Sequence, residues 1–166
     1  MPEPAMLRIR PARVNDAKAL VALHYAAVHA VSPGHYTPAQ LAAWSPLPDA
    51  ARHAWLRGVI CTPTLRVLVG EVDGQPCGFA IADLAEGRVN ALYVAPAHAG
   101  CGLGRALLAA CEHALQAQGH AQGTVRASLN AEAFYAAAGY RALGPALQPL
   151  ADGSALPCVE MSRPLI

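Results

Sequence analysis

Gly100, Gly102 and Gly104 alternate with other residues in "AGCGLG", after an apolar run ending in "LYVAP" and before the leucine- and alanine-rich "RALLAACEHAL". A strand that passes through glycines into a helix presents unpaired main-chain N–H groups and the positive end of the helix dipole. Glycine also lets an anion approach within hydrogen-bond distance of backbone nitrogen. The pattern therefore suits a phosphorylated ligand, and a diphosphate best. Spacing argues against the two common nucleotide loops. A dinucleotide fingerprint needs G-x-G-x-x-G in a parallel βαβ unit, and a triphosphate loop needs G-x-x-x-x-G-K followed by Ser or Thr. Here the order is G-x-G-x-G behind hairpin strands, with Arg105 after Gly104. Cys101 lies inside the same loop, where a helix dipole favours thiolate. A thiol enzyme built on it is an alternative chemistry, although no histidine and acid accompany it.

The elements that must position this loop follow from hydrophobic period and turn residues. "MLRIRPA" alternates as a strand, and Asn15 or Asp16 can cap a helix over "AKALVALHYAAVHAV", which Pro33 and Gly34 end. Pro38 suits the first position of a helix over "AQLAAWS", and "AARHAWLRGVIC" reads as another beyond Pro46 and Pro48. "TLRVLVGEV", Asp73-Gly74 and "QPCGFAIADL" make a hairpin, and "RVNALYV" follows as a third strand. After the loop, Leu103, Leu107, Leu108, Cys111 and Leu115 share one helical face, with Gly119 as the stop. "GTVRASL" reads as a strand and "NAEAFYAAAG" as a short helix. "YRALGP" and "PCVEMSRPL" read as a last pair joined across "DGS".

The 166 residues, 54% hydrophobic, are expected to form a single domain over 1–166. Twelve basic and eleven acidic residues give a net charge of +1, with no field to attract nucleic acid or an anionic membrane. The stretch "MPEPAMLRIRPARVNDA" has no signal-peptide apolar core, and nothing approaches the about 20 apolar residues of a membrane span. A cytoplasmic protein is expected. The cysteines, Cys61, Cys77, Cys101, Cys111 and Cys158, are scattered without a C-x-x-C pair, so reduced thiols and no metal are expected.

Two blocks resemble the GNAT superfamily of N-acetyltransferases. "LYVAP" followed by "AGCGLG" and "RALLAACEHAL" is similar to that family's coenzyme A segment, L-x-V-x-P then Q/R-x-x-G-x-G/A and an amphipathic helix. "SLNAEAFYAAAGY" is similar to its later N-x-x-A-x-x-F-Y-x-x-x-G-F/Y. The order of elements agrees over nearly the whole chain. The resemblance implies an α/β fold with a mixed, largely antiparallel sheet of about six to seven strands, splayed at the acetyl-CoA site and flanked by helices. It also implies transfer of an acetyl group from acetyl-CoA to a primary amine of a small molecule or peptide, by direct attack in a ternary complex. One departure is clear: Ala99 stands at the Q/R position and Cys101 where relatives often carry a basic residue. Coenzyme binding is then expected to lean on backbone N–H groups of Ala99 to Arg105, with the Arg105 side chain as an added charge. A weakened affinity follows.

By the same resemblance, the main chain of Leu92, Tyr93 and Val94 runs beside the pantetheine arm, and the Val94 N–H faces the thioester oxygen. Tyr135 is the expected acid for the leaving thiolate, since a phenol can donate to a thiolate of comparable basicity. Asn130 is expected either to cap the helix that follows or to contact the pantetheine amide. Relatives often carry a carboxylate on the strand before the loop, but "RVNALYV" offers only Asn90. Asp83 on the preceding strand is the expected base, or a water relayed from Glu71, His24 or His29. Tyr25 and His29, four apart on the first helix, are the substrate candidates there, with His24 on the apolar side. Tyr36 and Trp44 line a cleft or anchor two short helices. A non-catalytic acyl-CoA-binding module is the alternative function, and the hydrophobic content leaves room for a homodimer interface.

Overall fold

The computed structural model describes residues 3–166. The strands are β1 (Leu7–Pro11), β2 (Leu65–Val72), β3 (Gln75–Asp83), β4 (Arg88–Val94), β5 (Gln122–Ser128), β6 (Arg141–Pro149) and β7 (Ala155–Pro164). The helices are α1 (Ala17–His29), α2 (Pro38–Trp44), α3 (Ala50–Ile60), α4 (Leu103–Ala117) and α5 (Glu132–Ala137). The strands form one sheet in the order β1-β2-β3-β4-β5-β7-β6. Every neighbouring pair is antiparallel except β4 and β5. Thus the α/β fold with a seven-stranded, mostly antiparallel sheet flanked by helices is the one the sequence led us to expect.

The β4–β5 seam is the feature that makes a site. Parallel pairing joins only Arg88 to Thr124 and Val89 to Val125, after which the two strands part. Just beyond, Ile81 opposes Ala91 while Ala82 opposes Val89, so Asn90 is an extra residue on β4. Such a bulge bends its strand and increases the local twist, turning β4 away from β5 where the pairing ends.

Each face of the sheet carries a core. On one, α4 buries Leu103, Leu107, Leu108, Cys111 and Leu115 against β-strand residues and Tyr135. Each buried leucine contributes about 1.5–3 kcal/mol. On the other face, Leu20, Val21 and Leu23 of α1 and Leu56 of α3 meet Val67, Val69, Phe79 and Ile81.

The seat of α4 is made by two glycines paired across β2 and β3, Gly70 and Gly78. A Cβ on Gly70 would lie 2.7 Å from Leu103 Cδ1. One on Gly78 would lie 2.9 Å from the Tyr93 carbonyl oxygen and 3.0 Å from both Leu103 and Leu107. Bare backbone there lets the N-terminus of α4 lie directly on the sheet.

Asp16 stands at the N-cap position of α1, as one of the two expected residues, but without the side-chain cap bond. A 3-10 turn over Val14–Asp16 precedes the helix, and Asp16 already has helical backbone angles with no side-chain cap. Its carboxylate instead accepts from the Arg13 N–H at 2.7 Å and pairs with Arg10, which also reaches Glu71. The Arg10 hydrogen bond holds the Asp16 carboxyl below its usual range. Among the described residues, no helix is long and apolar enough to cross a membrane, and no three His, Cys, Asp or Glu gather as a metal site.

Candidate functional site

The Ala95 N–H donates to the Cys77 carbonyl at 2.7 Å. In an antiparallel ladder inward and outward groups alternate, so Tyr93 also turns to β3 while the main chain of Leu92 and Val94 turns the other way, into the gap left by β5. The Leu92 and Val94 side chains pack on the α4 core, and Tyr93 packs on the α1 core. β4 therefore offers a free main-chain edge along the gap.

At the open end of that edge, Ala99 and Cys101 donate their N–H groups to Pro96 and His98. Gly100 and Gly102 then take left-handed angles, φ 78° and 92°, a region costly for residues with a Cβ. The first hydrogen bond into α4 is from the Ala106 N–H to the Gly102 carbonyl, 3.1 Å. The N–H groups of Gly100, Gly102, Leu103, Gly104 and Arg105 have no acceptor among the described residues. Five free donors at the head of a fifteen-residue helix fit a diphosphate. The Leu103 side chain is wholly buried, so that residue offers only its N–H. Gly104 has a packing reason as well, because a Cβ there would meet the Phe134 ring at 3.3 Å. The Arg105 guanidinium does not face the loop in the expected way: it donates to the Ala137 carbonyl at the end of α5, 3.2 Å.

Tyr135 of α5 is buried and lines the gap with Leu92, Tyr93 and Ala131. Its ring is held edge-on by Phe134 and Tyr140, at centroid distances of 5.1 and 5.5 Å. The hydroxyl has no hydrogen-bond partner among the described residues, and burial, with Tyr93 and Cys111 adding, raises its pKa above the ordinary phenol value. It stays protonated at ordinary pH, and the expected match in basicity between phenol and thiolate is corrected. Burial makes Tyr135 a weaker acid than a free phenol, so it can give up its proton only to a thiolate that is itself desolvated in the gap. Asn130 is exposed and caps nothing, since Ala131 occupies the cap position of α5.

On the α1 face, a cavity of about 670 Å³ opens between α1, α2, α3, β3, β4 and the end of β6 with the two residues after it. It meets the β4–β5 gap at Trp44, Asn90, Ala91, Tyr93 and Gln148, which line both. Trp44 Nε1–H donates to the Tyr93 hydroxyl at 3.0 Å. Burial pushes that phenol up to about 12. His24 lines the cavity edge-on to Tyr93, at 4.5 Å between centroids, and shares a hydrogen bond of 2.8 Å with the Ser45 hydroxyl. Burial, with Arg52 and His29 adding, lowers its pKa to about 3, so the ring is neutral.

Several expected site residues are elsewhere. Asp83 is not brought to the gap: it pairs with Arg88 at the far end of β4, and its Oδ1 accepts from the Ala85 and Glu86 N–H groups, closing the β3–β4 turn. Glu71 is held by Arg10 at 3.2 Å. Tyr25 and His29 stack on each other at 4.2 Å, and His29 donates to the Ser45 carbonyl, so neither lines the cavity, whereas His24 does. Tyr36 is a buried tie whose hydroxyl donates to the Pro157 carbonyl at 2.6 Å and accepts from the Leu129 N–H. Trp44 both anchors and lines. Cys101 is exposed, with no hydrogen-bond partner for its thiol among the described residues.

Sequence reading did not single out Arg52, Trp55 and Gln148 as cavity residues. Arg52 and Trp55 had only their place in the early helical region as a signal, and Gln148, on β6, had none.

A family model described as an acetyltransferase (GNAT) domain matches residues 34–153, well over half of the chain. Among solved structures, a GCN5-related N-acetyltransferase from Rhodopseudomonas palustris is 27% identical with TM-score 0.85, and 99% of each chain is covered. A ribosomal-protein-alanine N-acetyltransferase from Brucella melitensis is 27% identical with TM-score 0.67, covering 95% of this chain and 99% of that one. The PaiA N-acetyltransferase from Thermoplasma acidophilum, solved in complex with coenzyme A, shares the fold at 15% identity and TM-score 0.74, over 96% of this chain and 99% of that one. No curated protein matches the sequence. A sheet that parts beside a glycine-led helix, together with the family match, leads to one assignment: this chain belongs to the GNAT acetyltransferase family.

Proposed function

We propose that the protein transfers an acetyl group from acetyl-CoA to a primary amine of a small molecule or peptide, by direct attack in a ternary complex. The observation that carries this reading is the junction of two spaces: a gap edged by free main chain of β4 and closed by Tyr135, and a separate cavity meeting it at Asn90, Ala91 and Tyr93.

Acetyl-CoA supplies an activated thioester when bound. Its diphosphate suits the free N–H groups from Gly100 to Arg105, and its pantetheine arm suits the Leu92 and Val94 edge, with the exposed Asn130 assigned to it only by the family resemblance. The Val94 N–H stabilises negative charge developing on the carbonyl oxygen. The Tyr135 hydroxyl gives its proton to the departing sulfur. Among the described residues, the lining of the acceptor cavity contains no Asp, Glu or Lys, and Arg52 is its one charged residue. In such surroundings an ammonium is disfavoured both by desolvation and by a like charge. The acceptor therefore enters as free amine, its ammonium proton left in solvent. The second proton, which the nitrogen sheds as the C–S bond breaks, passes through water to the Tyr135 phenolate and restores the hydroxyl, so no carboxylate base is needed. The neutral His24 ring is a hydrogen-bond partner for it.

An amine panel with acetyl-CoA tests the reading, alongside calorimetry of coenzyme A. Transfer to at least one primary amine, with kcat/KM rising as that amine deprotonates, is expected. Coenzyme binding with no transfer to any amine and no slow thioester hydrolysis would favour the non-catalytic module instead.

A further inference from the structure

The acceptor cavity contains one feature that its apolar character does not require. Arg52 is fixed at the start of α3, where its N–H donates to the capping Asp49 carboxylate at 2.8 Å. Its guanidinium lies over the Trp55 ring, 4.6 Å from Cζ to the centroid. The ion pairs among the described residues use Arg10, Arg88, Arg126 and Arg163, and leave Arg52 without a carboxylate. Its Nε is buried and has no hydrogen-bond partner among the described residues. A buried guanidinium N–H without an acceptor costs free energy, and the Arg52 side chain that carries it belongs to a residue lining a cavity next to the reaction junction.

We infer that Arg52 receives a carboxylate carried by the acceptor, so that the amine substrates are amino-acid-like molecules with an apolar side chain. The guanidinium is a planar fork of donors matched to a carboxylate, and stacking on Trp55 fixes its plane. The apolar walls, Leu56, Val59 and Ile81 among them, suit a hydrophobic side chain. A polyamine or another polycation would meet a positive charge and no acidic residue. The volume, about 670 Å³, accommodates a small molecule with a large side chain. This inference rests on the acetyl-transfer reading.

Both tryptophans of the chain, Trp44 and Trp55, line the cavity, so intrinsic fluorescence reports on occupancy without turnover. The probes are N-acetyl-L-phenylalanine and N-acetyl-L-phenylalaninamide, which differ only in the carboxylate. The parent is expected to bind the acid about tenfold or more tightly than the amide. Arg52→Gln should bring the two within about twofold, and Arg52→Lys should retain part of the preference. Equal binding of acid and amide by the parent would overturn the inference. So would a preference surviving in Arg52→Gln, or no response to either probe at about 10 mM. Calorimetry of coenzyme A on the same samples reports separately: its failure to bind would sink the acetyl-transfer reading whatever the carboxylate comparison gives.

Discussion

Burial acts on Tyr135 and His24 in the same physical way and gives them different uses. Both lose hydration of the charged form, so the phenol keeps its proton and the imidazole refuses one. For Tyr135, the phenylalanine variant keeps the ring packed between Phe134 and Tyr140 and removes only the donor. Coenzyme affinity should hardly move while kcat falls by about 10²-fold or more. An unchanged kcat with a verified acceptor would leave the site without a proton donor. For His24, the consequence is a pH-dependent stability. With a folded pKa of about 3 against an ordinary 6.5, the unfolded chain binds the extra proton between those values. Stability is therefore fully present above about pH 6.5 and declines as pH falls toward 3, by up to about 1.4 kcal/mol per unit. Between pH 7 and 5, where carboxylates stay ionised, melting temperature should fall more steeply for the parent than for His24→Asn. Parallel curves would mean that His24 does not set the slope.

At the scale of elements, the coenzyme loop depends on where α4 begins, and that is fixed by the Gly70–Gly78 pair beneath Leu103. Gly78→Ala should cost about 1–3 kcal/mol by overpacking, because its new methyl meets Tyr93 backbone as well as leucine side chains. It should also weaken coenzyme A binding, read by calorimetry, by lifting the helix head. Wild-type affinity in a folded Gly78→Ala would show that the seat does not position the loop. Gly102 acts through conformation and space together. At φ 92° any side chain is strained, so Gly102→Ala measures the strain, and the further loss in Gly102→Glu measures the clash of a carboxylate with the diphosphate. Equal coenzyme affinities for the two variants would place the phosphates elsewhere. These elements were unequally legible in the sequence. The loop and α4 were legible because glycine spacing and a helical apolar stripe are local signals, whereas Tyr135 was singled out only by the resemblance of "SLNAEAFYAAAGY". The Gly70–Gly78 contact and the Arg52 cavity depend on which strands and helices become neighbours, which no local pattern states. Asp83 was misleading for the same reason: a carboxylate on the strand beside β4 gives no indication of which end of β4 it will face. Tyr25 and His29 shared a helical face, but that face turned to Ser45 rather than to the cavity.

Across the whole molecule, the sheet must part at β4–β5 without coming apart, and only two paired positions hold the seam. A charged cluster reinforces it from the next strand over. Glu160 of β7 accepts from Arg88 of β4 through both carboxylate oxygens, at 2.8 and 3.2 Å, and forms an ion pair with Arg126 of β5 at 3.5 Å. One carboxylate thus ties the two halves of the sheet across the closed end of the gap. Arg88 and Glu160 side chains are about a quarter exposed, 23% and 24%, so solvent screens the pair only in part. Glu160→Gln keeps the shape and removes the charge, leaving two guanidinium groups facing a neutral amide. A loss of about 1–2 kcal/mol is expected, which for a chain of this length lowers the melting temperature by roughly 3–6 °C. The loss should be local as well as global. Exchange of the Thr124 amide, which donates to the Gly87 carbonyl at 3.0 Å across the seam, should speed up more than that of the Ala95 amide, bound within the β3–β4 ladder. On the proposed placement of the pantetheine arm between these strands, coenzyme A binding should weaken with it, because the apex sets their separation. If Thr124 exchange and melting temperature both stay at parent values, the cluster is ornamental, and the two paired positions with the Asn90 bulge are enough to define the opening of the sheet.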